Sequence, residues 1–262
     1  MSLKSFASSL RVQRNVIHAL LMREALTRYG RHNLGLLWII VEPMMFTIGV
    51  TILWYAIDAN HGSNLPITAF ALTGYSTVLL WRNMPNRVTM AVTSNLALMY
   101  HRNVKVIDLF VSRMILEFIS LSSSFVFLTI IFWATGYINP PENVIGLLGA
   151  WLLTAWFGMS LALFLGAIGE RSELIEKIWH PLAYLLFPLS GAAFIADAFP
   201  PSIREIVLLV PMVHCTEMIR EAFFGSLFTA HYSTAYLVGW NLALTIFGFA
   251  IERQLSREIV PE

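Results

Sequence analysis

The first long apolar run limits the fold of this chain more than any other feature. From Leu36 to Ile57 the only charged residue is Glu42, and a basic segment, residues 23–31, comes directly before. About 20 apolar residues are enough to cross the hydrocarbon core of a bilayer. Because cytoplasmic flanks are rich in Lys and Arg, the basic segment before the run and Asp58 after it place the amino terminus in the cytoplasm.

The composition extends this prediction to the whole chain. Hydrophobic residues make up 57% and charged residues 13%, whereas a soluble domain carries about 25% charged residues. We therefore expect an all-α integral membrane protein, a single membrane domain over residues 1–262, with both termini cytoplasmic. The length allows about six transmembrane helices. The predicted spans cover about 36–57, 66–92, 107–133, 144–168, 180–196 and 232–251.

Two segments do not fit the pattern of a span. Residues 1–33 alternate apolar residues with arginines at near-helical spacing, which predicts an amphipathic interfacial helix at the cytoplasmic headgroups. Residues 200–228, called the outer hairpin below, mix apolar and charged residues. We expect two short helices there, forming a re-entrant hairpin before the last span, which bilayers tolerate only where other protein covers it.

The second predicted span contains the sequence Trp81-Arg82-Asn83-Met84-Pro85-Asn86-Arg87. In one interpretation the helix breaks at Pro85, and Arg82 and Arg87 face an aqueous path. In the other the span ends at Trp81 and the arginines lie in the cytosol. Guanidinium groups beside aromatic faces suit a hydrated, anionic, sugar-like polymer. The candidate residues for a substrate conduit are Glu42, Tyr75, Trp81, Arg82, Asn83 and Arg87.

The sequence offers little that would support catalysis. It contains no Gly-x-x-x-x-Gly-Lys-Ser/Thr loop for nucleotides and no hydrolase or metalloprotease motif. The single cysteine, Cys215, lacks partners at metal-ligand spacing. We expect no metal or cofactor, and a net charge of +1 gives no support for nucleic-acid binding. The alternative function is a membrane-embedded transferase that modifies a lipid-linked sugar, which would need an acid or base close to His101 or His214.

Several short motifs resemble a known family. The opening carries Arg23-Glu24, Thr27-Arg28-Tyr29, Leu34-Gly35-x-x-Trp38 and Glu42-Pro43. Together with the six predicted spans, these are similar to membrane subunits of bacterial ABC exporters for surface polysaccharides. The stretch from Pro211 to Arg220 is similar to the asparagine-proline hairpin signature of that family, although Val210 stands where asparagine is usual. Short outer loops make the capsular polysaccharide (group 2 capsule) exporter permeases the most similar members.

The resemblance implies a homodimer in the bacterial inner membrane, with its conduit at the dimer interface. It implies that the chain is not itself an enzyme and that two separate ATP-binding subunits hydrolyse ATP. It also implies a glycolipid-linked, anionic polysaccharide as substrate, and periplasmic adaptor and outer-membrane export proteins as partners. Glu217 and Arg220 mark the outer hairpin. The expected ATPase contacts are Arg23, Tyr100, His101, Arg102, Lys105, Arg171, Glu173 and Lys177.

Overall fold

The computed structural model describes residues 3–30, 33–57, 65–99 and 104–259 of the chain. All the regular secondary structure in these ranges is helical. Three short 3₁₀ turns, Thr93–Asn95, Ala196–Ala198 and Gly225–Leu227, join longer helices. The α-helices are α1 (Leu3–Tyr29), α2 (Asn33–Ala56), α3 (Ile67–Val88), α4 (Leu96–Met99), α5 (Val106–Ala134), α6 (Val144–Gly169), α7 (Glu173–Leu189), α8 (Pro201–Val207), α9 (Pro211–Phe224) and α10 (Thr234–Ile259).

Four of the described helices are long and apolar enough to cross a membrane. They lie in α2, α5, α6 and α10, over Leu37–Ala56, Val106–Ala134, Val144–Gly169 and Thr234–Glu258. Helix α3 has 22 residues, but it contains two arginines and several other polar side chains. Helix α7 has 17 residues and begins with charged ones. Composition alone therefore does not mark α3 and α7 as spans.

Helix α3 lies at the centre of the bundle. It packs against α2, α5, α6, α7 and α9, and its side chains are buried without interruption from Thr68 to Arg82. Glycines on α6 allow this close approach, because a Cβ atom at Gly158 would lie 2.8 Å from the carbonyl oxygen of Leu80. A polar helix can persist in a membrane when neighbouring helices, rather than lipid, surround it.

Contacts between turns show which helix ends lie together. The Glu170 carboxylate, at the end of α6, accepts hydrogen bonds from residues 92–93, which follow α3. At the opposite end, the backbone N–H groups of residues 142–143 donate to the carbonyls of residues 222–223 in α9. We call these the inner end and the outer end, after the orientation that the charges predict.

The described helices differ from the predicted spans in three places. Helix α3 continues through Pro85 and ends at Val88, so it is not broken at the proline. The segment expected as a fifth span at 180–196 is helical over Glu173–Leu189 instead, because Gly191 adopts a positive φ of 80° and the chain turns there. Helix α10 extends to Ile259, beyond the predicted 251.

The two short helices expected in the outer hairpin are present as α8 and α9. Each begins with a proline at its first helical position, Pro201 and Pro211. Proline suits that position because its missing N–H would have no partner within the helix. Nearly every side chain of α9 is buried, and this helix packs against α3 and α6.

Candidate functional site

Arg82 lies in the inner half of α3 with little solvent exposure, 9% of its surface. Its guanidinium carbon is 6.0 Å from the ring centroid of Tyr75 and 5.2 Å from that of Tyr184 on α7. Among the residues described, no carboxylate pairs with Arg82 and no acceptor takes its hydrogen bonds. The cation is thus held by aromatic faces, and its N–H groups are uncommitted.

Aromatic side chains of α3 and α7 surround Arg82, and we call the region bordered by Tyr75, Arg82, Tyr184 and Phe187 the Arg82 groove. Tyr75 contacts Phe187 edge to face at 5.7 Å. Toward the inner end, the Trp179 indole N–H donates to the Asn86 side chain at 2.7 Å. Tyr184 is 66% exposed, so it forms the outer edge of this groove. An arginine between aromatic rings presents donors for an anion and flat apolar faces for a sugar ring.

Sequence reasoning did not identify the α7 side of this groove. Trp179, Tyr184 and Phe187 lie about 100 residues after the α3 residues that they approach. Helical spacing within α7 could have shown that several of its aromatic residues occupy neighbouring positions. It could not have shown that they pack against α3. Tyr184 is the residue that completes the environment of Arg82.

Arg87, near the end of the same helix, has a different environment. It pairs with Glu42 on α2 at 3.2 Å and with Glu117 on α5 at 3.4 Å. Glu117 also accepts hydrogen bonds from Arg28 on α1 at 2.9 Å and from Asn83 at 3.1 Å. One buried carboxylate therefore joins α1, α3 and α5. We call these five residues the Glu117 network.

A second set of polar contacts continues this network to the inner end. Arg113 on α5 donates to the backbone carbonyl of Arg87 at 2.8 Å and pairs with Glu24 on α1 at 3.5 Å. Arg23 donates to the Asn95 side chain at 2.8 Å. Helix α1 thus contacts α5 and the segment after α3.

The remaining conduit candidate, Trp81, is fully buried. It belongs to the hydrophobic core, and its indole N–H has no hydrogen-bond partner among the described residues. Successive residues on a helix point about 100° apart, so Trp81 and Arg82 lie on different faces of α3. The structure brings Tyr75 and Arg82 into one groove, places Asn83, Arg87 and Glu42 in the Glu117 network, and leaves Trp81 in the core.

The expected ATPase contacts divide into those the structure describes and those it does not. Arg23 and Arg171 are exposed, and Arg171 donates to Glu258 at 2.7 Å. Lys105 is exposed at the start of α5, where its backbone N–H donates to Asp108 at 3.0 Å. Lys177 is exposed on α7. Outside the described parts lie Tyr100, His101, Arg102 and the side chain of Glu173.

The two residues that mark the outer hairpin are both fully buried. The Arg220 guanidinium donates to the carbonyls of Gly191, Ala192 and Phe194, each at 2.7 Å, and lies over the Phe70 ring at 3.7 Å. Glu217 accepts from the N–H groups of Ala196 at 3.1 Å and His231 at 2.9 Å. These side chains satisfy the backbone of the turns on either side of the hairpin, which is a structural task.

The outer end also carries titratable groups in open positions. The Tyr232 hydroxyl, in the loop before α10, donates to the Glu221 carboxylate. This hydrogen bond, with partial burial, raises the pKa of Tyr232 to about 12. His231 lies 2.8 Å from Asp197. In the ranges described, no three His, Cys, Asp or Glu side chains come together as metal ligands.

A bundle of apolar helices around a polar, arginine-bearing central helix defines a multi-pass membrane protein with an internal polar surface. Residues 15–224 match the family described as ABC-2 type transporter. The chain belongs to this family. It is a multi-pass protein of the inner membrane, as the sequence predicted.

Several relatives align with this chain over nearly the full length of both proteins. The chain is 42% identical to the capsule polysaccharide export inner-membrane protein CtrC of Neisseria meningitidis serogroup B, over 98% of this chain and 97% of that one. It is 38% identical, over the same shares, to the capsule polysaccharide export inner-membrane protein BexB of Haemophilus influenzae. It is 26% identical to the polysialic acid transport protein KpsM of Escherichia coli, over 94% and 95%. The resemblance to polysaccharide exporter permeases is confirmed.

Proposed function

We propose that this chain is the transmembrane subunit of an ATP-driven exporter that moves capsular polysaccharide across the inner membrane. The substrate is lipid-linked and anionic, and two copies of the chain form the conduit at their interface. Each copy crosses the membrane six times, with α2, α3, α5, α6, α7 and α10 as the spans and both termini in the cytoplasm. The family match and the names of the relatives support the class of protein and the class of cargo.

The observation that carries the conduit is the environment of Arg82. An arginine at the centre of a transmembrane helix costs about 2.5–3.5 kcal/mol on insertion scales. Arg87 offsets that cost with two carboxylates, whereas Arg82 has no carboxylate partner in the described parts of the chain and lies beside the rings of Tyr75 and Tyr184. A cation with uncommitted donors beside aromatic faces is suited to a passing anionic sugar chain.

The shape of the groove supports a place at the dimer interface. Tyr184 closes one side of the Arg82 environment in a single copy, and its ring is two-thirds exposed. Large apolar side chains on the same helix, Leu182, Leu185 and Leu189, are exposed as well. A second copy facing α7 would bury this surface and enclose the groove, as in isologous twofold interfaces.

Energy for transport comes from two separate ATP-binding subunits under this proposal. The sequence has no P-loop of its own. The inner end carries exposed basic residues on three elements, Arg23 on α1, Lys105 before α5 and Arg171 after α6. Periplasmic adaptor and outer-membrane export proteins would receive the polymer on the other side.

The test replaces Arg82 by Leu in cells that lack their own permease and measures surface polysaccharide and membrane abundance together. Hydrogen bonds to charged groups contribute about 1.5–3 kcal/mol, so we expect export to fall about tenfold or more while abundance is unchanged. Arg257→Leu is the matched control, because Arg257 is an exposed arginine near the end of α10. Normal surface polysaccharide in the Arg82→Leu strain would remove the conduit role from Arg82.

The transferase alternative receives no support from His214. Its Nδ1 atom accepts from the Ser233 N–H at 2.9 Å, and its Nε2 atom donates to the Leu208 carbonyl at 2.8 Å. Both ring nitrogens are therefore occupied by backbone groups, and neither is placed to move a substrate proton. The other histidine considered for the transferase, His101, lies outside the described residues. Turnover of a lipid-linked sugar by the purified chain without any ATPase would favour the transferase.

A further inference from the structure

Glu170 makes an unusual set of contacts at the inner end. Its carboxylate accepts from the backbone N–H of Val92 at 2.6 Å, from the N–H of Thr93 at 3.1 Å and from the Thr93 hydroxyl at 2.8 Å. These groups lie where the short helical segment Thr93–Met99 begins. A carboxylate at such a start satisfies N–H groups that have no helical partner. Glu170 itself belongs to the turn between α6 and α7, so one side chain joins two separate connections at the inner end.

Residues 92–95 are also held from two other directions. Ser94 accepts from Arg113 on α5 at 3.1 Å, and Asn95 accepts from Arg23 on α1 at 2.8 Å. The segment therefore has side-chain contacts with α1, α5 and the α6–α7 turn. Of these contacts, Glu170 is the one that binds backbone, so it fixes the path of the chain as well as one side chain.

The chain just before this segment is strained. Met90 has a φ of 59°, the one positive φ outside glycine among the described residues. Non-glycine residues in that region are uncommon and persist where the surroundings determine the backbone from several sides. The Met90 carbonyl accepts from the Ser94 hydroxyl at 2.7 Å, and Glu170 holds the two residues that lie between Ala91 and Ser94.

We call the contacts between Glu170 and residues 92–93 the Glu170 joint. The residue next to Glu170, Arg171, connects this joint to the last helix, α10. Arg171 donates to Glu258 at 2.7 Å and to Gln254 at 3.3 Å, both on α10. A cavity of about 590 Å³ lies between residues 92–96, 170–171 and 255–258. Three parts of the chain that are far apart in sequence thus form one surface at the inner end.

We propose that Glu170 is a positioning residue that makes segment 92–99 and the α6–α7 turn move as one body during transport. The inference rests on the proposed function, in which ATP-binding subunits contact this end. If a closing ATPase displaces the α6–α7 turn, the Glu170 contacts carry segment 92–99 with it. That segment follows directly on α3, the helix that bears Arg82. Glu170 then acts on the conduit through the backbone of residues 92–93, and it contacts no substrate.

The first experiment purifies the permease with its ATP-binding subunit and measures polymer transport per ATP hydrolysed. Glu170→Ala removes all three hydrogen bonds, whereas Glu170→Gln keeps one acceptor oxygen, replaces the other by an NH2 group and removes the charge. Mutations in a coupling network change coupling by about 0.5–2 kcal/mol. We expect Glu170→Ala to lower polymer transported per ATP about fivefold or more, with Glu170→Gln intermediate. The amount of ATP-binding subunit that co-purifies should be unchanged. A variant that merely misfolds would bind less of that subunit. Glu176→Gln, a nearby carboxylate on α7, is the control.

The second experiment replaces the hydrogen bonds by a covalent link. Cys215 is the only cysteine and is buried, so Cys215→Ala gives a background without reactive thiols. In that background, Thr93→Cys with Glu170→Cys should behave like Glu170→Ala while the thiols are free. A short bifunctional thiol reagent that joins them should restore transport per ATP toward the wild-type value. A cross-linked pair that blocks transport would show that the two segments must separate, and it would overturn the inference.

The two proposals fail in distinguishable ways. If the wild-type chain neither binds an ATP-binding subunit nor moves polymer, the proposed function is wrong. If the wild-type complex transports polymer and Glu170→Ala keeps the same ratio of polymer to ATP, the proposed function stands and the Glu170 joint is rejected. Poor folding of the alanine variant would leave the cross-linking result to decide.

Discussion

Arg82 and Arg87 lie five positions apart on α3, yet one contacts aromatic rings and the other contacts carboxylates. Arg82 approaches Tyr75 and Tyr184 and has no acidic partner among the described residues. Arg87 pairs with Glu42 and Glu117, and Glu117 also binds Arg28. Both residues belong to the inner half of one helix, so the difference comes from the helices that surround them.

The difference separates two uses of a cation within the bundle. An arginine that pairs with a buried carboxylate, as Arg87 does with Glu117, holds helices together, and removing the carboxylate leaves the charge of the arginine less compensated. A buried arginine beside aromatic rings, with no carboxylate partner among the described residues, keeps its hydrogen-bond donors available for another partner. Arg87 is therefore part of the scaffold, and Arg82 is available for an anionic substrate. The predictions below test this division.

The largest expected effect concerns stability at the Glu117 network. Glu117→Leu removes the acceptor shared by Arg28, Arg87 and Asn83 and leaves two guanidinium groups without it. Breaking a fully buried pair by removing one partner costs about 3–5 kcal/mol, and we expect a smaller cost here because Arg28 keeps Glu24 and Arg87 keeps Glu42 as partners. Thermal unfolding in detergent can be followed by the reaction of Cys215, the buried single thiol, with a maleimide. We expect the thiol of Glu117→Leu to react at a clearly lower temperature than that of the wild type.

The control for this measurement is Glu205→Leu, which removes an exposed carboxylate on α8. Its unfolding temperature should match that of the wild-type chain. Arg82→Leu should also unfold like the wild type, because that side chain forms no ion pair within the described parts of the chain. Equal unfolding of all four proteins would mean that the Glu117 network does not stabilise the bundle, and the contrast with Arg82 would fail.

An intermediate effect is expected in export when the groove is altered. Tyr184→Ala removes a ring 5.2 Å from the Arg82 guanidinium. Cation–π contacts at exposed sites contribute about 0.5–1 kcal/mol, so we expect surface polysaccharide to fall about two- to fivefold. Tyr184→Phe keeps the ring and should export normally. Tyr55→Ala, at an equally exposed tyrosine on α2, is the control, and a loss as large there would deny Tyr184 a specific role.

The sequence could indicate the residues of this comparison but not their partners. The pattern of residues 81–87 identified both arginines, since charges inside an apolar run require a special environment. Which carboxylate or ring each one meets depends on how α5 and α7 pack against α3. Helical periodicity predicts which residues share a face of a single helix, but it does not predict which helices pack together. Tyr184 and the sharing of Glu117 were therefore beyond sequence reasoning.

The sequence also predicted the ends of some helices poorly, because those ends depend on contacts with other helices. The charged residues of 170–177 lie between the predicted fourth and fifth spans, and the fifth span is expected to start at 180. The structure runs one helix from Glu173 to Leu189 across that boundary. Pro181 did not end it, because proline inside a membrane bundle is tolerated where neighbours satisfy the freed carbonyl. The ends of the predicted spans at 107–133 and 144–168 lie within one residue of the ends of α5 and α6, because most residues of both segments are apolar over their whole length.

The smallest effect is expected for the outermost pair of the Glu117 network, Arg87 and Glu42. Their side chains are 34% and 33% exposed, whereas that of Glu117 is 3% exposed. Solvent screening reduces such a pair to about 0.2–1 kcal/mol. A double-mutant cycle with Arg87→Gln and Glu42→Gln, read from the unfolding of the four proteins, should give a coupling energy in this range. The same cycle between Arg87 and Glu117 should give a larger value, because Glu117 is screened less. A larger coupling to Glu42 would mean that Arg87 faces α2 more than α5, and the stabilising centre of the network would then lie at the α2–α3 contact.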